Sequence, residues 1–297
     1  MFLSEDEVRA LLRMEELIPA MAAALRELSA GKVQQPIRMV LPVAEHGGFF
    51  AVMPASSGSA LGAKLVTFYP NNKGVHTHHA MILLFRPETG EPLVTMDGRL
   101  ITEMRTAAVS AVATKALARA DAAVLAILGS GVQARSHLEA LRLVRDFSEV
   151  RVWSPRNARK FAQQQDVHAA ASAEEAVRGA DVIVVATAAT APVLMGDWLS
   201  PGAHINAVGA TRPNWRELDD ETLHKARIYV ESREAAMKES GDVIAAGEIF
   251  AEIGEVIGGS KPGRQTEDEI TLFKSVGVAV EDVATAELVY RRAVKRK

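Results

Sequence analysis

The stretch Ala126-Ile-Leu-Gly129-Ser-Gly131-Val-Gln-Ala134 reads G-x-G-x-x-A, directly after the apolar run Ala123–Leu128 and at the start of a helical pattern over residues 132–145. Each small residue has a mechanical reason in a strand–turn–helix. Gly129 permits the tight turn, Gly131 lets the backbone approach a pyrophosphate, and Ala134 lets helix and strand pack closely. The helix start then offers free N–H groups and a positive dipole end to phosphate. A second strand, Glu149–Trp153, follows at the interval that a dinucleotide-binding unit requires. Beyond it stand Ser154, Arg156 and Asn157, where an acid would accept the ribose hydroxyls of NAD. A hydroxyl and a guanidinium suit a 2′-phosphate instead, so the pattern favours NADPH, with NADH as the less favoured alternative.

Working outward, residues 181–185, 204–208 and 227–230 are further apolar runs separated by helical segments. Continuous apolar strands alternating with helices predict a parallel sheet covered on both faces. Thr187, Val208 and Gly209 close two of these strands, where such sheets bind ligands. N-terminal to residue 120 the texture differs. Ser4 and Glu7 form a capping box, Pro19 marks the start of a second helix and Gly31 its end. Short runs at 37–41, 48–53, 61–68, 79–85 and 92–96, divided by Pro, Gly and Asn, predict an antiparallel or mixed sheet. An alanine-rich helix over 102–120 and a last helix over 280–292, folding back on this first region, complete the pattern.

The chain has 297 residues, a net charge of −3 and no cysteine. Disulfides, thiolate metal sites and a catalytic thiol are excluded. No clustered basic surface points to nucleic acid. The acidic start lacks a signal-peptide pattern, and the longest charge-free apolar stretch, 182–195, is too short for a bilayer, so a soluble cytoplasmic protein is expected. Arg38, Lys64 and Arg105 lie among apolar neighbours, where a cation needs an anionic partner; together they outline a pocket for a small carboxylate. His76, His78 and His79 read as a polar loop-to-strand junction rather than a metal site, with His79 pointing away from the other two. The acids of Glu217-Leu-Asp-Asp-Glu221 read as a helix start at Asp219 or Asp220.

These segments resemble the ornithine cyclodeaminase/mu-crystallin family. The resemblance is carried by Pro36-Ile-Arg38, Gly62-Ala-Lys64-Leu-Val, Met96-Asp-Gly98, Arg105-Thr-Ala-Ala-Val-Ser110, the glycine-rich turn, residues 201–209 and Phe273-Lys-Ser-Val-Gly277. Residues 209–219 and Lys238-Glu-Ser-Gly-Asp-Val243 resemble its mu-crystallin, or ketimine reductase, branch. The resemblance implies an α/β chain: a Rossmann domain (120–269) inserted into an α+β substrate-binding and dimerisation domain (1–119 and 270–297) that joins a homodimer through its sheet. It implies that Arg38, Lys64 and Arg105 bind a substrate carboxylate, with Lys64 and Arg105 catalytic and Thr211 and Glu239 beside the substrate. Thr77, His78 and Thr106 would lie near the cofactor, Gly129, Ser130, Gly131, Val132 and Gln133 around its pyrophosphate, Ser154, Arg156 and Asn157 at its 2′-phosphate, and Val276 over its ring.

True ornithine cyclodeaminases resemble this chain but carry an aspartate where Thr211 stands and a glutamate where Ala51 stands. Amine deprotonation and ring closure with loss of ammonia lack their bases here, whereas imine reduction needs neither. The expected activity is therefore NADPH-dependent reduction of Δ1-pyrroline-2-carboxylate or Δ1-piperideine-2-carboxylate to L-proline or L-pipecolate. The alternatives are an ornithine cyclodeaminase, an alanine dehydrogenase, or a non-catalytic NADPH-dependent binder of small molecules.

Overall fold

A computed structural model describes residues 1–295. The chain divides into two compact units, Met1–Arg105 with Gly277–Lys297, and Thr106–Val276. It passes between them twice, at 105–106 and at 276–277.

The first unit is built on a six-stranded sheet. Its strands are β1 (Phe2–Leu3), β2 (Met39–Val43), β3 (Gly48–Ser56), β4 (Leu61–Phe68), β5 (His78–Phe85) and β6 (Pro92–Asp97), in the order β1-β6-β5-β4-β3-β2. Strands β2 to β6 form an antiparallel meander, and β1 pairs parallel with β6. The register places Met53, Lys64, Ile82 and Met96 in one lateral row. All four are buried, so this face looks into the core. Helices α1 (Glu5–Leu11) and α2 (Met14–Ser29) and the C-terminal helix Ala279–Lys295 supply the rest of that core. The C-terminal helix packs on α2 and on β3, β4 and β5, as the sequence predicted. The capping box at Ser4 and Glu7 is formed. Pro19, by contrast, does not open α2 but lies inside it. The buried positions Met14, Leu17, Ile18 and Met21 hold the helical stripe through the proline, so packing overrides the local start signal.

The opposite face of this sheet is apolar and open. Met39 is 64% exposed, Leu41 59% and Met81 45%, and the register puts all three on the face away from Lys64.

Helix α3 (Arg99–Leu117) leads into the second unit. That unit is built on an eight-stranded sheet containing β7 (Val124–Leu128), β8 (Glu149–Trp153), β9 (His168–Ala169), β10 (Val182–Val185), β11 (His204–Ala207), β12 (Ala226–Val230), β13 (Ala251–Glu252) and β14 (Ile270–Lys274). Every pairing is parallel, in the order β13-β12-β14-β11-β10-β7-β8-β9. Strands β10 and β11 are buried at every position; β10 is the continuous apolar run expected, whereas β11 carries buried His204 and Asn206, which bond to Thr271 and Thr114. The chain leaves β7 toward β8 on one side and returns as β10 on the other. The order therefore reverses at the C-terminal end of β7, the place where sheets of this topology bind ligands. Sequence reading missed β14, a central strand. It carries Lys274 and lies in a stretch quoted only as a motif. Among the described residues no helix is long and apolar enough to cross a membrane.

Candidate active site

The turn after β7 has the shape the sequence predicted. Gly129 sits at φ +125°, and a Cβ there would fall 2.3 Å from the Ala186 carbonyl oxygen, so only glycine fits. Gly131 is the N-cap of α4 (Val132–Arg142), and no side chain caps this helix. A Cβ on Gly131 would meet nothing within 4 Å, so the helix start opens onto free space with its first N–H groups available. Ala134 is fully buried against the strand. Across the turn, the Ser130 and Ser154 hydroxyls hydrogen-bond at 2.8 Å, and Asn157 N–H donates to Ser154 Oγ at 3.2 Å. Arg156 and Asn157 are exposed beyond them. The cradle fits a dinucleotide: a glycine turn and an uncapped helix start for pyrophosphate, then hydroxyl, amide and guanidinium where the adenosine ribose is expected.

Two loops at the ends of β10 and β11 are tied together by a residue read from sequence only as part of a helix start. Glu217 is fully buried. Its Oε1 accepts from Thr187 N–H at 3.0 Å and Thr187 Oγ1–H at 2.6 Å. Its Oε2 accepts from Gly209 N–H at 2.7 Å and Ala210 N–H at 2.9 Å. Burial pushes this carboxyl above the usual carboxylate range, against the pull of Lys274 and these donors. Lys274 Nζ lies 3.8 Å from Glu217 Oε2 and 3.2 Å from Asp242 Oδ2, all three residues being buried. Asp242 Oδ1 in turn accepts from Glu217 N–H and Leu218 N–H. A Cβ on Gly209 would stand 2.2 Å from Glu217 Oε1, so Gly209 is needed for this clamp. Asp219 does start the helix Asp220–Lys225, accepting from Thr222 N–H. Thr187, Val208 and Gly209 thus share one strand-end cluster. Thr211 and Glu239 are half-buried elsewhere in this unit, and Thr106 is buried within α3. Val276 N–H donates to Glu231 Oε2 at 3.2 Å.

In the first unit, the cations singled out in the sequence do meet. Lys64 and Arg105 are buried at 2% and 5% exposure. Their anionic partners, however, are internal. Lys64 Nζ lies 2.6 Å from Asp282 Oδ2, Arg105 Nε donates to Asp282 Oδ1 at 3.1 Å, and Arg105 Nη1 donates to Glu281 Oε2 at 2.7 Å. The sequence reading looked for the anion in a ligand. The acids sit more than 170 residues later, on a helix whose face could not be assigned from that distance. Arg38 Nη2 donates to the Gly277 carbonyl, and a Cβ on Gly277 would stand 2.6 Å from Arg105 Nη1. Gly277, at φ +73°, therefore brings the two arginines together where the chain returns to this unit.

Burial lowers Lys64 from 10.5 to about 8; Asp282 opposes that fall, while Arg105 and Arg38 add to it. For Asp282 burial works upward, but Arg105 and Lys64 outweigh it and hold the carboxyl low. His78 is lowered to about 4, by burial first and by Lys64 next. Thr77 and His79 are exposed. The His76 and His79 rings pack edge to face at 6.0 Å, which corrects the reading that His79 points away from His76. His76 precedes β5, so strand alternation does not govern it. Among the described residues no group of three His, Cys, Asp or Glu is placed to hold a metal.

A glycine turn at the switch point of a parallel sheet, joined in one chain to a unit with a buried cation cluster, defines a dinucleotide-dependent oxidoreductase of the Rossmann class. The chain belongs to the ornithine cyclodeaminase/mu-crystallin family, whose model matches residues 1–297. It is 54% identical to the ketimine reductase mu-crystallin of Mus musculus, over 97% of this chain and 96% of the relative. Among solved structures it is similar to the Δ1-pyrroline-2-carboxylate reductase of Thermococcus litoralis in complex with NADH and L-proline, with TM-score 0.95, 41% identity and coverage of 100% and 98%. It is also similar to an archaeal alanine dehydrogenase dimer with bound NAD, with TM-score 0.94, 39% identity and coverage of 100% and 96%.

The Glu217 clamp makes a direct prediction. Glu217→Ala leaves four donors without their acceptor and Lys274 with Asp242 alone, and is expected to cost about 3–5 kcal/mol of stability. Glu217→Gln keeps the volume but turns N–H groups toward Gly209 or Thr187, for a loss of about 1–3 kcal/mol. Thermal unfolding reads both, and a midpoint unchanged in the Gln variant contradicts the clamp.

Proposed function

We propose that this chain reduces a small cyclic ketimine carboxylate, Δ1-pyrroline-2-carboxylate or Δ1-piperideine-2-carboxylate, to L-proline or L-pipecolate with NADPH. The observation that carries the reading is the buried Lys64–Arg105 cluster with Arg38 bound to the same Gly277 segment. It gathers three cations in one place, the charge that a small carboxylate requires, and arginine is the side chain that suits one best. The mouse and Thermococcus relatives act on substrates of this kind by name, and the Thermococcus structure holds L-proline. Thr211 and Ala51 stand where the resemblance to cyclodeaminases expects two acids, so the bases expected for amine deprotonation are missing.

In this reading Arg38 and Arg105 fix the carboxylate, and Thr211 and Glu239 border the ring. Gly129 to Gln133 hold the pyrophosphate, and Ser154, Arg156 and Asn157 hold the 2′-phosphate. Thr187, Val208, Gly209, Thr77, His78, Thr106 and Val276 surround the nicotinamide. The bound cofactor supplies the hydride; the protein supplies position and charge. Orientation by two arginines contributes much of the rate, because the imine carbon is then held for attack. The open apolar face with Met39, Leu41 and Met81 is the proposed homodimer surface, supported by its exposure and by the dimeric archaeal relative.

NADPH oxidation against pyrroline-2-carboxylate and piperideine-2-carboxylate tests the activity, and absence of turnover on either sinks it. Arg38→Ala is expected to raise substrate KM about 10-fold or more while leaving NADPH affinity within about 2-fold, the loss of one charge-assisted contact. Equal loss of both would misplace the pocket. Arg156→Ala should narrow the preference for NADPH over NADH, read as the ratio of the two kcat/KM values; an unchanged ratio refutes its role. Leu41→Glu with Met81→Glu should halve the mass seen by light scattering, and an unaltered mass would place the dimer contact elsewhere.

A further inference from the structure

We infer that Lys64 is the acid that protonates the substrate nitrogen, and that Asp282 is the positioning residue that keeps Lys64 charged for that step. The inference rests on the ketimine reading above and extends it to two residues of the C-terminal helix and β4.

The placement of Lys64 is costly. Its row neighbours Met53, Ile82 and Met96 are all buried and apolar. An ammonium in such a row forfeits its hydration, and a buried ion pair recovers that cost only in part; a packed aliphatic side chain would hold the sheet as well. The charge therefore points to chemistry rather than to stability. The groups that face Lys64 come from four places: Asp282 on the C-terminal helix, Arg105 on α3 with Glu281 paired behind it, Arg38 before β2 and His78 on β5.

The reaction needs a proton at nitrogen. As the hydride forms its bond to the imine carbon, the C=N π pair moves to nitrogen. One N–H bond of the Lys64 ammonium breaks and a new N–H bond forms on the ring. NADPH becomes NADP+, and neutral Lys64 regains a proton from water. The balance is imino acid plus NADPH plus H+ giving cyclic amino acid plus NADP+. An efficient donor has a pKa close to the working pH. A solvated lysine holds its proton too tightly, and a buried lysine without a counter-ion gives it up before substrate arrives. Asp282, at 2.6 Å, sets Lys64 between these limits, at about 8. His78 is held to about 4 and carries no proton to give at neutral pH.

The test follows the charge of Lys64 in two ways. In ligand-free protein labelled with 15N-lysine, the Nζ resonance lost in Lys64→Arg is titrated in wild type and in Asp282→Asn. The alkaline limb of kcat/KM is then measured for both with pyrroline-2-carboxylate. Lys64 is protonated below its pKa, so activity falls as pH rises through it. Asp282→Asn removes the opposing charge and should lower the titration midpoint by about one pH unit or more, with the alkaline limb moving by the same amount. An unmoved midpoint, or a midpoint that moves while the limb stays, overturns the inference. If Asp282→Asn does not fold by circular dichroism, Asp282→Glu replaces it. That variant keeps the charge and should hold the limb at the wild-type pH with lower kcat, and a limb displaced by a unit would overturn the inference. Wild type that reduces no cyclic ketimine at any pH sinks the proposed function instead, while the resonance titration still decides whether Asp282 controls Lys64.

Discussion

The first unit depends on a single electrostatic knot. Lys64 on β4 and Arg105 on α3 are drawn out of water and held by Asp282 and Glu281 on the C-terminal helix. Removing any one partner leaves a charge uncompensated in a low-dielectric interior, a cost that exceeds the worth of the intact pair. The knot thus ties the last helix to the sheet and to the helix through which the chain leaves the unit. It also fixes the guanidinium and ammonium groups in place, which is the preorganisation that the proposed function calls on.

The second unit repeats the arrangement with different parts. Glu217 gathers the ends of β10 and β11 through four donors, and Lys274 on β14 balances it together with Asp242. The loops that border a ligand in a parallel sheet are by nature the least constrained part of the fold. Here a buried carboxylate removes that freedom. Gly129 and Gly209 serve the same end sterically, since a side chain at either would strike the Ala186 carbonyl or Glu217 itself. The strand ends of the second unit are therefore held rigid where a parallel sheet binds its ligand.

Much of this was open to reading from the chain alone because it is local. The G-x-G-x-x-A turn, the short runs of β2 to β6 divided by Pro, Gly and Asn, the solid apolar run of β10, and the caps at Ser4 and Asp219 each depend on residues within a few positions of one another. The three cations were also visible, because a charge among apolar neighbours is locally anomalous wherever it stands. Their partners were not. Asp282 and Glu281 sit in an ordinary amphipathic helix, where an acid reads as a solvated face. Glu217 looked like one more acid before a helix start, and Lys274 stood only within a quoted family motif.

The sequence by itself determined the dinucleotide turn, most of the elements around it, the absence of thiol chemistry and the family to which the chain belongs. Tertiary structure alone decided which acid meets which base: Asp282 with Lys64 across 218 positions of chain, and Lys274 on a strand with Glu217 in a loop and Asp242 on a short helix. The physical reason is one of range. Backbone propensity and periodicity act over a few residues, whereas the pairing of buried charges is chosen by whichever groups the packed core leaves without water, and that is settled only when distant segments close on one another.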